Sequence, residues 1–444
     1  MRKNFKWGVA TSSFQIEGSN DVDDKIRSIW DEFCDTPEKI KNSDHAKIAC
    51  DHYNRYNDDF DFLDKLGVDC YRFSISWPRI VFDDLKTKNQ KGLDFYSKLI
   101  DNLLDRGIEP FLTLNHWDIP QIFLEKGGWT KRDNMKYFLD YANIVSKEFG
   151  DKINYWITHN EPWVISNCGY KDGIHAPGEQ SFFDSLRVNH HLLVSHGQSV
   201  PIIRENSKDS KVGIVLNLTP GYPASSSDAD KKATLLFNQF FNEWFLDPLY
   251  GGEYPKEVSD DWMQKGMFSE LDFLKDGDYD IISTLTDFLG INYYSRGIIR
   301  SEDIEESENS PVEIIAGKKT DFDWEVFPEG LKKLLIDVDH HYDVKSIYIT
   351  ENGCAYDYPI ENDGSINDID RINYLESHVL ACKDAIDKGV PLDGYMHWSL
   401  MDNFEWAEGY CKKFGLIGID FESLERIPKN SFWKYKELIK KYSK

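Results

Sequence analysis

What the sequence lacks narrows its function before any motif is considered. It holds no run of about 18 apolar residues, the length a membrane-crossing helix needs. Its start, Met1-Arg-Lys-Asn-Phe-Lys-Trp-Gly8, carries basic residues with no apolar stretch behind them, which does not fit a secretory leader. It is short of positive charge: 52 Lys and Arg against 77 Asp and Glu give a net charge of -25. Nucleic acid and anionic lipid both select basic surfaces, so neither is an expected partner. Cysteines are few and unpaired in pattern. Cys34, Cys50, Cys70, Cys168, Cys354, Cys382 and Cys411 are odd in number, scattered, and form no CxxC, which suits a reducing cytoplasm and argues against structural zinc.

Other absences concern cofactors and organisation. No glycine-rich phosphate loop or dinucleotide fingerprint follows a strand-like run. His190, His191 and His196 fit no compact zinc spacing and read as a helical surface. No sharp repeat and no linker divides the chain. Residues 1–444 therefore read as one domain, a length that closed α/β barrels reach.

What is present is aromatic and periodic. The chain has 13 Trp, 23 Tyr and 27 Phe. Sugar-binding sites use such rings because a pyranose face packs on them, and large cores use them too. Eight β-like runs can be read: Trp7–Phe14, Asp69–Trp77, Glu109–His116, Ile153–Glu161, Lys211–Thr219, Asp287–Ser295, Ser346–Asn352 and Leu392–Leu400. Most are apolar on both faces, as doubly buried parallel strands are. Helical patterns separate them. Tyr56, Phe60 and Leu63 recur at helical spacing before Gly67, after a start at Asp51-His52-Tyr53, and Gly92–Arg106 repeats the device before Gly107. This alternation predicts a (β/α)8 barrel. Two polar stretches, 221–230 after the fifth run and 301–323 after the sixth, either shape the barrel mouth or are surface insertions. The second reading is favoured for 221–230. Asn217-Leu-Thr219 matches a glycosylation acceptor but lies in a predicted strand.

The ends of these runs are polar, although buried barrel strands have little reason to finish so. The first ends near Gln15, the second carries Arg72, and the third ends at His116-Trp117-Asp118. The sixth ends at Asn292-Tyr293-Tyr294, and the eighth offers Trp398. The fourth closes on Asn160-Glu161-Pro162 and the seventh on Glu351-Asn352-Gly353. Enzymes on this architecture build their sites at that end of the barrel. Two glutamates reaching inward from separate strands can straddle one bond, the arrangement that glycosidic cleavage requires.

From end to end the chain resembles the family 1 glycoside hydrolases, the β-glucosidase family. The blocks that carry the resemblance are Phe5–Gly18, Tyr71–Arg79, Asn115–Pro120, Thr158–Pro162, Gly290–Ser295, Ile349–Gly353 and His397–Trp406. The resemblance implies a retaining (β/α)8 hydrolase of small β-glycosides that needs no metal or other cofactor. It leaves homo-oligomerisation open, because the family ranges from monomers to larger assemblies.

It also implies roles. Glu351 would be the nucleophile, with Arg72 and Tyr294 stabilising its charge, and Glu161 the general acid and then base. Asn160 would bind the sugar 2-hydroxyl, and Asn292 would support the catalytic pair. Gln15, His116, Trp117, Glu405, Trp406 and Phe414 match sugar-binding positions, with Trp398 stacking under the ring. Glu405 stands where relatives that cleave 6-phosphosugars have a small residue, which favours unphosphorylated sugars. Lys412 and Lys413 nearby keep a 6-phospho-β-glycosidase in view, and a noncatalytic sugar-binding relative is the other alternative. Trp163, Cys168, His175 and Trp324 line an outer aglycone pocket or serve only in packing. Two departures from the family pattern stand out. Phe14 replaces a common tyrosine, and Cys354 replaces a small residue, where its thiol is expected to confer sensitivity to oxidants or alkylation.

Overall fold

A computed structural model describes residues 1–302 and 316–443. Eight parallel strands close on themselves: β1 (Lys6–Ala10), β2 (Cys70–Ser74), β3 (Glu109–Asn115), β4 (Tyr155–Asn160), β5 (Lys211–Asn217), β6 (Phe288–Asn292), β7 (Ile347–Asn352) and β8 (Leu392–Trp398). Each pairs with its sequence neighbours, and β1 closes the ring onto β8, with Ala10 opposite both Arg72 and Trp398. Helices return the chain between strands, so the (β/α)8 barrel expected from the alternation is the architecture observed. The first amphipathic stretch forms a helix over His52–Leu66, stopped by Gly67, whose φ of 74° is open to glycine at little cost. The second spans Gln90–Asp105.

The barrel interior is a packed core rather than a pore. Phe111 and Tyr155 stack at 4.0 Å, and Tyr348 and Phe288 meet Phe111 edge-on. This aromatic plug fills the end where the strands start. It leaves the open space at the end where they finish.

All eight expected runs are strands, but several are shorter than predicted. Beyond β1, Ser13–Ile16 turns helical, and beyond β2 a helical turn forms over Trp77–Ile80. Pro78 suits that first turn, where a missing N–H costs nothing. Two further expectations are corrected. His190, His191 and His196 do not form a helical surface. They lie on the helix Phe182–Asn206 and are buried, each with a partner: Tyr254 and Asp278, the Trp129 carbonyl, and the Thr158 hydroxyl respectively. Helices packed on both sides bury polar groups as well, and those groups then find hydrogen bonds. Among the described residues, no group of three or more His, Cys, Asp or Glu side chains is arranged to hold a metal.

The stretch 221–230 is not a surface insertion either. Gly221–Pro223 pairs in parallel with Gly297–Ile299, and a helix begins at Asp228. Asp230 accepts the Ser301 N–H at 2.7 Å, tying together the loops that follow β5 and β6. Of the charged stretch 301–323, residues 303–315 lie outside the described residues.

Buried ion pairs hold the loops at the open end. Arg371 donates to Asp368, to the Tyr356 carbonyl after β7 and to the Lys413 carbonyl after β8. Asp368 in turn accepts from the backbone and hydroxyl of Ser431 at the start of the last helix, Asn430–Tyr442. Arg371 and Asp368 are both fully buried. Removing one partner strands the other charge without water. Arg371→Met is expected to lower unfolding stability by about 3–5 kcal/mol, read from the denaturant midpoint. A loss below about 1 kcal/mol, the level of an exposed pair, would show that the clamp carries no load.

Candidate active site

The strand ends deliver their side chains to one cavity of about 970 Å³. Glu161 follows β4 directly, with φ of 51°. Its N–H bonds the Val215 carbonyl on β5 at 2.8 Å, and its carbonyl accepts the Val164 N–H at 2.9 Å, where the chain turns into a helix. Trp117 and Trp406, on the same wall, also have left-handed backbones, with φ of 71° and 50°. Such conformations cost about 1–3 kcal/mol each outside glycine and persist where surrounding contacts impose them. For Trp117, one such contact is its indole N–H, bonded to the Asn160 carbonyl at 3.0 Å.

Glu351 lies one residue before the end of β7. Arg72 on β2, fully buried, donates to its Oε1 at 2.5 Å, and the Tyr294 hydroxyl donates to its Oε2 at 2.6 Å. Both oxygens of Glu351 thus accept, one of them from a cation, the surroundings that suit a nucleophilic carboxylate. Tyr294 keeps its own proton, because burial first and then the Glu351 charge push the phenol well above its usual range. The β7 end is fixed from behind. Gly353 passes so close to β8 that a Cβ there would stand 1.8 Å from the Trp398 carbonyl oxygen.

Glu161 meets the opposite environment. Burial, and next the charge of Glu351, push its carboxyl well above the carboxylate range, against a smaller pull from Asn292 and Arg72. Asn292 Nδ2 donates to Glu161 Oε1 at 2.7 Å and to Asn160 Oδ1 at 3.1 Å. Asn160 Oδ1 also accepts from Arg72 at 2.6 Å. One network therefore joins a carboxyl group that accepts from Arg72 and Tyr294 to a second one whose ionisation burial opposes.

Glu161, Glu351, His116, Trp117, Asn292 and Tyr294 all face the cavity, as do Trp398, Glu405, Trp406 and Phe414. So do the four outer candidates Trp163, Cys168, His175 and Trp324. Gln15, Arg72 and Asn160 sit behind the wall, fully buried. Gln15 Nε2 is shared among Asn403, the Phe404 carbonyl and, at 3.4 Å, Glu405. Glu405 is pushed up to about 8, by burial first and then by the charges of Glu351 and Glu408. His116 is held well below its usual range by burial and by Arg72, so it is neutral. It stacks on Trp398 at 5.7 Å and 16°. Phe14 stacks on Trp406 at 8° between planes, a packing role that needs no hydroxyl.

Sequence reasoning missed the aromatic partners of the outer wall. Phe241 stacks on Trp163 at 4.2 Å, and Phe322 on Trp324 at 4.4 Å. Val164–Lys171 and Gln239–Glu243 are wide π-type turns, which re-aim side chains and leave no mark in a periodicity. The rim pair Arg296–Glu325 was equally invisible, since its halves belong to different stretches of the loop after β6.

The reactive-thiol expectation for Cys354 fails. The residue is fully buried, and burial pushes its thiol up to about 12.

A parallel (β/α)8 barrel with two carboxyl groups in opposite environments facing one cavity is the constitution of a glycoside hydrolase. The chain belongs to glycosyl hydrolase family 1, whose family model matches residues 1–444. It is 45% identical over 440 residues to "Beta-glucosidase A" of Acetivibrio thermocellus, covering 99% of this chain and 98% of that protein. Two solved structures of the Thermotoga maritima β-glucosidase are also similar. The complex with glucoimidazole has a TM-score of 0.92 at 43% identity, and the complex with galacto-hydroximolactam 0.90 at 41%. Each alignment covers 99% of this chain and 98% of the other.

The burial of Cys354 has a direct check. Iodoacetamide treatment of the native protein at neutral pH, followed by peptide mapping, is expected to label half-buried Cys411 and leave Cys354 unmodified. Labelling of both at one rate would contradict the burial.

Proposed function

We propose that this chain is a retaining, exo-acting β-glucosidase. It removes nonreducing-end β-D-glucosyl groups from short oligosaccharides and from aryl or alkyl glucosides, and accepts β-D-galactosyl groups as well. The observation that carries this reading is the contrast across one cavity between Glu351, held by Arg72 and Tyr294, and Glu161, whose burial and like-charged neighbour oppose ionisation. Glu351 attacks the anomeric carbon while Glu161 protonates the departing oxygen, giving a glycosyl-enzyme. Once Glu351 is esterified its charge is gone, and with it one of the causes that hold the Glu161 proton. Glu161 then ionises more readily and acts as base towards water in the second step.

Glu405 supports recognition of free hydroxyls. A carboxyl group there accepts from either epimer at carbon 4, which favours glucose and galactose alike. Held mostly protonated at neutral pH, it offers a 6-phosphate no cation, and once ionised it would repel one. Lys412 and Lys413 do not offset this, because Lys412 donates to the Asp321 carbonyl and Lys413 pairs with Asp357. Trp398 offers a flat face to the sugar ring, and the aromatic pairs Trp163–Phe241 and Phe322–Trp324 offer faces to the aglycone. The cavity is at the upper end of ligand sites, which run roughly 300–1,000 Å³. The reading includes a reducing, cytoplasmic compartment, supported by seven free cysteines.

Azide tests the assignment of roles. Glu351→Ala should lower turnover on the order of 10⁴-fold or more. Added azide should restore part of it and give the α-glucosyl azide, because azide then enters the face Glu351 has left. A β-azide product would mean the two glutamates are misassigned. The pH profile tests Asn292. Its N–H stabilises the charged form of Glu161, so Asn292→Ala removes a lowering influence and raises the Glu161 pKa further. The alkaline limb of kcat/KM, which follows loss of that proton, is expected to move to higher pH while kcat falls about tenfold or more. A limb that stays in place or moves down would separate Asn292 from the acid.

A further inference from the structure

The hydrogen bonds around Asn292 admit one polarity. A guanidinium only donates, so Asn160 must turn its carbonyl oxygen to Arg72. That oxygen lies 3.1 Å from Asn292, which must therefore present Nδ2 to it. The same Nδ2 reaches Glu161 Oε1 at 2.7 Å. Asn292 Oδ1 is left on the far side of the amide, where the Thr350 hydroxyl donates to it at 2.7 Å. Thr350 is fully buried and immediately precedes Glu351.

The strand pairing explains how Thr350 arrives there. Ile291 on β6 faces Ile349 on β7, but Asn292 faces Glu351, so Thr350 is the extra residue of a bulge. Bulges interrupt side-chain alternation and re-aim what they carry. In a regular strand, residues 350 and 351 would point to opposite faces. Here Glu351 meets the cavity while the Thr350 hydroxyl still reaches the amide beside Glu161.

We propose that Thr350 is a positioning residue that decides which oxygen of Glu161 carries the transferable proton. The inference rests on the β-glucosidase reading. An amide N–H aimed at Oε1 bonds better to a carbonyl-like oxygen than to a hydroxyl, which favours the proton on Oε2. In the first step that proton passes to the glycosidic oxygen. The bond from this oxygen to the anomeric carbon breaks, its electron pair stays on the oxygen, and a Glu351 oxygen bonds the carbon. If the amide turned over, its Oδ1 would accept a proton from Oε1 and hold it away from the leaving group. Asn160 opposes that turn from one side and the Thr350 hydroxyl from the other. Without the hydroxyl, Asn292 Oδ1 is buried with no donor, and a tilt of the amide becomes favourable.

The trivial alternative is that changing Thr350 merely displaces its neighbour Glu351, and leaving-group dependence separates the two. Thr350→Val keeps the shape and loses the hydroxyl. It is expected to lower kcat/KM about tenfold to a hundredfold on a 4-methylphenyl glucoside, which needs acid help, and less than about threefold on a 2,4-dinitrophenyl glucoside, which does not. Thr350→Ser should stay within about threefold of wild type on both. Equal losses on both substrates would overturn the proposal. If Thr350→Val does not fold, Thr350→Ala is compared in the wild-type and Asn292→Ala backgrounds. The loss should vanish in the second, and an undiminished loss would overturn the proposal. Should wild type cleave neither glucoside, the β-glucosidase reading falls separately. The infrared carbonyl stretch of Glu161, from difference spectra against Glu161→Gln, then still reads the proton. It should shift in Thr350→Val and hold in Thr350→Ser, and no shift in either would end the idea.

Discussion

Arg72 is fully buried, and a guanidinium removed from water is stable only where anions and carbonyls replace its hydration. Here Glu351, the Thr350 carbonyl and Asn160 Oδ1 do so. That requirement orders much of the site. It fixes an oxygen of Glu351, turns the Asn160 amide, and through it the Asn292 amide that meets Glu161. It also helps keep His116 neutral. A single cation on β2 thus sets the orientation of groups on β4, β6 and β7, none of which adjoins it in sequence.

The same charge is shared unequally. Glu351 takes it directly, while Glu161 and Glu405 face Glu351 with burial and a like charge against ionisation. Three carboxyl groups in one cavity cannot all be charged with one guanidinium between them. Their environments separate them, because Arg72 and Tyr294 bond Glu351 directly while burial and the Glu351 charge act on the other two. The retaining chemistry proposed for this chain rests on that separation.

The corrections share a cause. Cys354 and the histidines of the Phe182–Asn206 helix were read by residue type, as reactive or exposed, and the fold buries them. The stretch 221–230 was read by its polarity, but parallel pairing with residues 297–299 makes it part of the structure around the mouth. Burial and long-range pairing depend on what packs against a segment, and no local pattern carries that information. Phe241 and Phe322 were missed for the same reason, since each matters through a ring brought to it by another part of the chain.

The amino-acid order alone determined the eight strand-and-helix alternations and the polar residues at or just beyond the ends of most strands, because the periodicity of apolar residues and the glycine and proline stops are local properties. It thereby made Glu161 and Glu351 legible as a pair, with His116, Trp117, Asn292, Tyr294 and Trp398 at the other strand ends, while Glu405, Trp406 and Phe414 came from the family resemblance. Only the tertiary structure decided which carboxyl group Arg72 pairs with, which way the amides of Asn160 and Asn292 turn, and that Thr350 reaches Asn292 across a bulge. Those outcomes follow from desolvation and from donor–acceptor matching among groups far apart in the chain, and such terms do not exist until the barrel closes.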